Sequence, residues 1–339
     1  MLSTLRALLQ TRCTYVHNRR VPSRDPLPKR QDALTAAHLY YIQGHTMEAI
    51  AAELKTSRST VSRLLSFARE TGLVEIRIQS PLVEPRRIEA AIRARFSLSA
   101  HVAPVPADVS EADRLERVAA TAARVLGASV DSHQTVGVAW GSTMAAVSRH
   151  LTPKPTRNVT IVQLNGSGNT QTSGLLYASE ILQRFARAFD ARVEQFPVPA
   201  FFDHAETRRA VWRERSTQRL LSLQESMRLV VFSVGAAGAG VPSHVYSGDY
   251  LGAEDLRSLR EDRVVGDVAT VFYRADGSDA GIRLNERATG PSFETLRRVP
   301  RRLCVVAGPS KLEALRGAIA AGLVTDLVID EPTALELVG

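Results

Sequence analysis

Cysteine is scarce in this chain: Cys13 and Cys304 are its two thiols in 339 residues. Two are too few for a disulfide scaffold or a Cys-based zinc site, and a reducing, cytoplasmic setting is the default. Long apolar runs are missing too. None reaches the roughly 18 residues a membrane-spanning helix needs, so no membrane partner is expected. Residues 1–10 lack the sustained apolar core of a secretory signal, and no clear small-residue cleavage pattern follows. No Walker sequence and no Gly-x-Ser-x-Gly elbow occurs. His101, His133, His150, His204 and His244 show no metal-ligand spacing and read as surface or core histidines. No metal and no cofactor is expected.

Acid is nearly absent before residue 31, where seven Lys and Arg face Asp25 alone and supply +6 of the net +8. With Pro22, Pro26 and Pro28, residues 1–30 read as a basic disordered tail or as sequence upstream of the true translation start; an organelle transit peptide is a formal alternative. Such a tail can add nonspecific phosphate contacts. From residue 31 through Ile78 five basic and five acidic residues cancel. What favours a nucleic-acid partner there is segregation. Lys55, Arg58 and Arg63 fall in a window without acid, while Glu48 and Glu53 lie on the preceding helix.

That window belongs to the stretch around which the chain is organised, Thr46 to Leu65. Thr46 is a good N-cap, and Met47, Ile50, Ala51 and Leu54 recur at helical spacing. Lys55-Thr56 breaks the pattern. Ser57 then caps a second helix with Val61, Leu64 and Leu65 on one face and Arg58, Ser59, Thr60, Ser62 and Arg63 elsewhere. Ala51 and Ala52 allow a close crossing, so the unit reads as a helix-turn-helix. Ser57, Arg58, Ser59, Thr60 and Arg63 are the candidate DNA-binding residues, of types that bond base edges or phosphates. A helix from Asp32 to the stop at Gly44 is expected behind it, burying Leu34, Ala37, Tyr41 and Ile42. The alternation Leu73-Val74-Glu75-Ile76-Arg77-Ile78 reads as a wing strand, with Arg77 either reaching a phosphate or on a solvated face. Pro81 and Pro85 mark a boundary. The expected domains are 31–80, a winged helix-turn-helix, and 81–339; the length suffices for two cores.

Beyond the boundary, after a helix over 86–96, short β-rich apolar runs alternate with helical segments. Strands are expected over 101–105, 135–140, 159–164, 193–198, 229–234, 303–307 and 326–329. Helices are expected over 112–126, 142–151, 173–188, 208–227 and 311–321. This is an α/β pattern with a mostly parallel sheet. Residues 264–273 break the alternation and read as an irregular or antiparallel insertion with Asp276-Gly277 as its turn.

In such a sheet, ligands gather beyond the carboxyl ends of the strands. Trp140-Gly141-Ser142-Thr143-Met144 follows a strand and opens a helix, where amides and hydroxyls can face an anion. Leu164-Asn165-Gly166-Ser167-Gly168 and Val306-Ala307-Gly308-Pro309-Ser310-Lys311 are two further glycine-bearing loops. With Lys311, Arg283 and Arg287 available, they suit a small anionic ligand. Asp267, in Gly266-Asp267 before Val268, is either a polar group at a strand or part of a turn.

The chain resembles the SorC/DeoR-type family of bacterial sugar-binding transcriptional regulators over about residues 33–334. The resemblance rests on Leu39-Tyr-Tyr-Ile-Gln-Gly, Ile50-Ala-Ala-Glu-Leu with Ser57-Arg-Ser-Thr-Val-Ser-Arg-Leu-Leu, Val136-Gly-Val-Ala-Trp-Gly-Ser-Thr-Met, Val162-Gln-Leu-Asn-Gly, Val265-Gly-Asp, Val306-Ala-Gly with Lys311, and Ile329-Asp-Glu-Pro-Thr-Ala, in that order. It implies an effector domain like the sugar-phosphate isomerase and coenzyme A transferase folds, binding a sugar or sugar phosphate and assembling as a homodimer or homotetramer. It also implies that Gly141, Ser142 and Thr143 hold phosphate and that Asn165 and Gly166 line the pocket. Asp267, Arg287 and Lys311, with Gly308 in the same loop, would complete the effector site. Two departures are Gly235-Ala-Ala-Gly-Ala-Gly, poor in polar residues, and Pro309, where a second glycine is usual.

The function expected is a regulator whose grip on a double-stranded operator is controlled by a sugar, through a shift in the relative orientation of paired reading heads. The alternative is an enzyme processing a sugar phosphate, with the N-terminal unit serving assembly and Lys311 and Asp267 moving protons.

Overall fold

The computed structural model describes residues 27–74, 83–106, 108–236 and 243–339. It divides into two compact units between Gln79 and Ser80.

The first unit is helical. Leu27–Ala37 continues into a wider π-type turn, His38–Ile42, before Gly44, whose φ is +71°. Residues 27–30 thus begin a helix rather than end a tail, and residues 1–26 lie outside the described residues. The wide turn shifts the register. Ala33, Ala36, Ala37 and Leu39 are buried, whereas Leu34 and Tyr41 are half-buried and Ile42 is 55% exposed, contrary to the spacing of an uninterrupted helix. Helix Met47–Glu53 is capped by Thr46, whose hydroxyl accepts from the Ala49 amide at 3.2 Å. Helix Arg58–Glu70 is capped by Ser57 in the same way, from Thr60. The turn between them passes through Lys55 at φ 49°. Ala51, Ile50, Val61, Leu65 and Ala68 close the core; Ala52 is exposed and plays no part in the crossing. Leu73 and Val74 form a bend, not the start of a strand, and the remainder of the expected wing, with Arg77 and Pro81, lies outside the described residues. Pro85 sits within helix Val83–Phe96. It falls in the first turn, where its missing N–H leaves no bond unmade.

Among its described residues the second unit carries ten strands: β1 Ser99–Ala103, β2 Thr135–Val138, β3 Thr160–Gln163, β4 Arg192–Glu194, β5 Leu229–Phe232, β6 Val234–Gly235, β7 Val264–Val268, β8 Val271–Arg274, β9 Arg301–Val306 and β10 Asp326–Asp330. Seven form one parallel sheet in the order β1-β10-β9-β5-β2-β3-β4. Strands β5 and β10 are buried along their whole length, as a sheet covered on both faces requires. Phe185, Phe189, Ile161 and Leu126 are among the fully buried side chains of this core. The chain builds outward from β2 to β4 on one side and from β5 toward β1 on the other, so β2 and β5 flank the switch point where such sheets open a crevice.

The expected insertion is a small antiparallel sheet, β6-β7-β8. Its turn is not Asp276-Gly277. Val268 pairs with Val271, so the hairpin turns through Ala269 and Thr270, at φ 47° and 70°. A two-residue turn of this hand wants φ > 0 at both positions, a conformation a β-branched residue adopts at a cost. Asp276-Gly277 makes the next turn, beyond β8. The expected helix over 208–227 is two helices, Ala205–Val211 and Arg215–Glu225, and the strand over 193–198 shortens to β4.

At the end of β10, Asp330 is fully buried. It accepts from Arg114 Nη1 at 2.7 Å, from the Gly308 amide at 2.8 Å and from Thr333. Asp330→Ala would leave the Arg114 guanidinium buried and the Gly308 amide unmet. Chemical denaturation should show a loss of about 3–5 kcal/mol; a loss below 1 kcal/mol would refute the role given to this carboxylate.

Candidate effector cavity and candidate DNA-reading helix

Beyond the carboxyl ends of β2, β3 and β5, side chains line a pocket of about 470 Å³, a figure that includes the open solvent at its mouth. Gly141, Ser142, Thr143, Asn165, Asp267 and Lys311 all line it. Topology, not sequence proximity, gathers them: β2 ends two residues before Trp140, β3 two before Asn165, and β7 presents Asp267. Gly141 has φ +135°, open to glycine, and no atom stands where its Cβ would be. Helix Ser142–His150 starts directly after it, so its first amides face the cavity with the positive end of the helix.

Lysine is rare here; Lys29, Lys55, Lys154 and Lys311 are the lysines among 43 Lys and Arg. Lys311 is 5% exposed, and its Nζ lies 3.2 Å from Ser233 Oγ. Burial pulls its pKa down, against the opposing influence of Cys304 and Asp267. Asp267 is 4% exposed. Burial pushes its carboxyl up to about 6, while the Thr270 amide, the Lys311 charge and the Tyr246 hydroxyl pull it back. The Thr270 amide donates to Asp267 Oδ2 at 3.1 Å, so the strained hairpin turn is what holds this carboxylate. Asp267 Oδ1 and Asn165 Oδ1 are buried without a hydrogen-bond partner. A cavity edged by two unmet acceptors, a buried ammonium and a helix start is complementary to a small ligand with hydroxyl donors and an anionic group. Burial also pushes the Cys304 thiol up to about 12, which leaves it protonated and unreactive.

Three residues assigned to the effector by the sequence reading stand elsewhere. The Arg287 guanidinium is taken by the Asp255 carboxylate and by the Phe202 carbonyl at 3.3 Å, outside the cavity lining. Gly166 sits behind the wall: its carbonyl accepts from Trp140 Nε1 at 2.9 Å, and a Cβ there would meet the Pro199 carbonyl oxygen at 2.1 Å. Gly308 gives its amide to Asp330. Arg283, offered as a free cation, pairs with Glu261 at 3.0 Å. Conversely, Ser233 and His244 line the cavity unforeseen. His244 is half-buried, with its pKa lowered by burial and its ring against Tyr177. Among the described residues of Gly235-Ala-Ala-Gly-Ala-Gly, Gly235 also lines it, and residues 237–240 lie outside the described residues.

In the first unit, Arg58 and Arg63 are exposed at the start of their helix, beside Ser57, Ser59 and half-buried Thr60. The window is not free of acid in space. Glu48 Oε1 lies 2.8 Å from Arg58 Nε, with side chains 64% and 68% exposed. A pair so solvated is worth about 0–1 kcal/mol, within what a phosphate can displace.

Residues 80–339 match the family described as "Putative sugar-binding domain". The chain belongs to the SorC/DeoR-type family of sugar-binding transcriptional regulators. The deoxyribonucleoside regulator of Bacillus subtilis is 31% identical over 91% of this chain and 98% of its own length. A solved domain of a "possible sugar-binding transcriptional regulator" from Arthrobacter aurescens TC1 is 55% identical with a TM-score of 0.72, covering 77% of this chain and 100% of that one. The full-length sorbitol operon regulator SorC of Klebsiella pneumoniae is similar in fold, with 22% identity and a TM-score of 0.69 over 92% of this chain and 100% of its own.

Between the usual carboxylate range and about 6, folded chain holds a proton on Asp267 that unfolded chain has released. Stability without ligand should therefore fall as pH rises through that window and level off above it. Melts of the wild type and Asp267→Asn between about pH 4 and pH 7 should diverge by on the order of 2 kcal/mol. Parallel curves would show that Asp267 titrates normally.

Proposed function

We propose that this family member is a DNA-binding transcriptional regulator, not an enzyme, whose grip on a double-stranded operator is set by a sugar in the cavity of the second unit. What supports the reading most is the cavity itself, where Asp267 Oδ1 and Asn165 Oδ1 lack donors and Lys311 is held by a neutral hydroxyl. These are groups for recognising a polyol and its charge. Among the described residues no serine or cysteine of the cavity hydrogen-bonds His244, which faces Tyr177, and the neighbouring Cys304 thiol is protonated. The amides of Ser142 and Thr143 suit a phosphate on that sugar.

In the first unit, the capped helix offers Ser57, Arg58, Ser59, Thr60 and Arg63 to a major groove, as expected of residues 31–80. A homodimer or homotetramer working in the cytoplasm supplies the paired heads that a two-fold operator needs. No described helix is long and apolar enough to cross a membrane. Sugar occupancy is expected to change operator affinity by a coupling free energy of about 1–3 kcal/mol.

Two variants separate the parts. Arg58→Ala should lose duplex binding by electrophoretic shift while keeping the thermal shift given by sugars and sugar phosphates. Lys311→Met should lose that thermal shift, which for a bound ligand at about 100 times its Kd is worth roughly 2.7 kcal/mol, and keep DNA binding. Equal damage to both activities in both variants would overturn the division of labour. Turnover of a sugar phosphate by the wild type, abolished in Lys311→Ala, would establish the enzyme instead.

A further inference from the structure

We propose that the amino-terminal edge of the seven-stranded sheet, at the end away from the cavity, is a second contact for duplex DNA, gripping its backbone through Arg157, Arg192 and Arg228. The proposal rests on the reading of the chain as a DNA-binding regulator.

Main-chain hydrogen bonds fix the three along one edge. The Arg192 amide donates to the Val159 carbonyl at 3.0 Å, the Arg157 carbonyl accepts from His133 at 2.8 Å, and the Arg228 amide donates to Thr135 at 3.0 Å. They therefore stand at the starts of β4, β3 and β5, with β2 between the last two. Three interstrand steps make this row about 14 Å long. All three side chains are exposed, and none has an ion pair or side-chain hydrogen bond among the described residues. Arg187, in the last turn of helix Leu175–Phe189 and five residues before Arg192, is exposed too.

Acid at this edge is largely spent. Asp131 is taken by Lys154 at 3.5 Å, and Asp326 by Arg301 at 2.9 Å, which leaves Asp190 and Glu225. From residue 79 onward the chain carries +2 in all. Three unpaired arginines thus stand in one row at the edge of a body that is nearly neutral as a whole. A second copy docking here symmetrically would set arginine against arginine. One DNA strand, by contrast, presents a phosphate about every 3.4 Å along the axis, so this row spans roughly four. Guanidinium is the side chain best shaped for phosphate oxygens.

The test is fluorescence anisotropy of the full chain on a random-sequence duplex across a salt series. Variants are the triple R157S/R192S/R228S, the charge-keeping triple R157K/R192K/R228K, and Arg58→Ala for comparison. Each lost phosphate contact flattens the plot of log affinity against log salt by about 0.9. The serine triple should therefore lie about 2–3 shallower than the wild type and bind more weakly, with an unchanged melting temperature; the lysine triple should recover most of the slope. A serine triple with wild-type slope and affinity, while Arg58→Ala weakens binding, overturns this proposal alone. So does a serine triple whose defect appears on phosphatidylserine vesicles and not on DNA. A wild-type chain that binds no duplex overturns both this contact and the function it rests on.

Discussion

Asp267, on β7 of the small sheet, and Lys311, in the loop after β9 of the large one, are both buried at the cavity, and each is held by a neutral group, the Thr270 amide and the Ser233 hydroxyl, instead of by the other. Removing two charges from water and leaving them apart is expensive, so the surroundings must hold them. The sheet order supplies that hold, because β9 leads into the Lys311 loop while β6 and β7 set Asp267 across the opening. The strained turn at Ala269 and Thr270 belongs to the same arrangement: it is tolerated because it delivers an amide to the carboxylate. A ligand that brings a hydroxyl and a negative charge relieves both residues at once.

The helical unit works on a smaller energy scale. Arg58 is engaged by Glu48, yet both stand in water and the pair is weak, so the guanidinium remains exchangeable. Glu48 thereby lowers the charge of the proposed reading face without closing it. This suits a head that must leave a wrong site easily, because nonspecific affinity grows with every unpaired cation.

Much of this was legible in the residues, and the failures share a cause. Thr46 and Ser57 were readable because a cap is a local event, and the parallel sheet because each strand is a short apolar run followed by a helix period. Gly141, Ser142, Thr143, Asn165 and Lys311 could be named from loop chemistry, Asp267 only from the family resemblance, and they meet in one cavity. Arg287 misled because its partner, Asp255, is 32 positions away and nothing in the local pattern announces it. Ser233 and His244 were missed because an isolated serine after a strand, or a histidine after a glycine-rich loop, acquires meaning only when β5 is placed beside β2. The π-type turn that removes Ile42 from the core carries no residue signature either.

The crevice lies between the two arms of the sheet, one running from β2 to β4 and the other from β5 to β1. Its walls are drawn from both, with Ser142 and Asn165 on the first arm and Ser233 and Lys311 on the second. A guest seated there acts as a clasp across the seam, and its gain in binding is shared by every strand it joins. On the proposed function, sugar occupancy would tie the two arms together and stiffen the lobe as a whole.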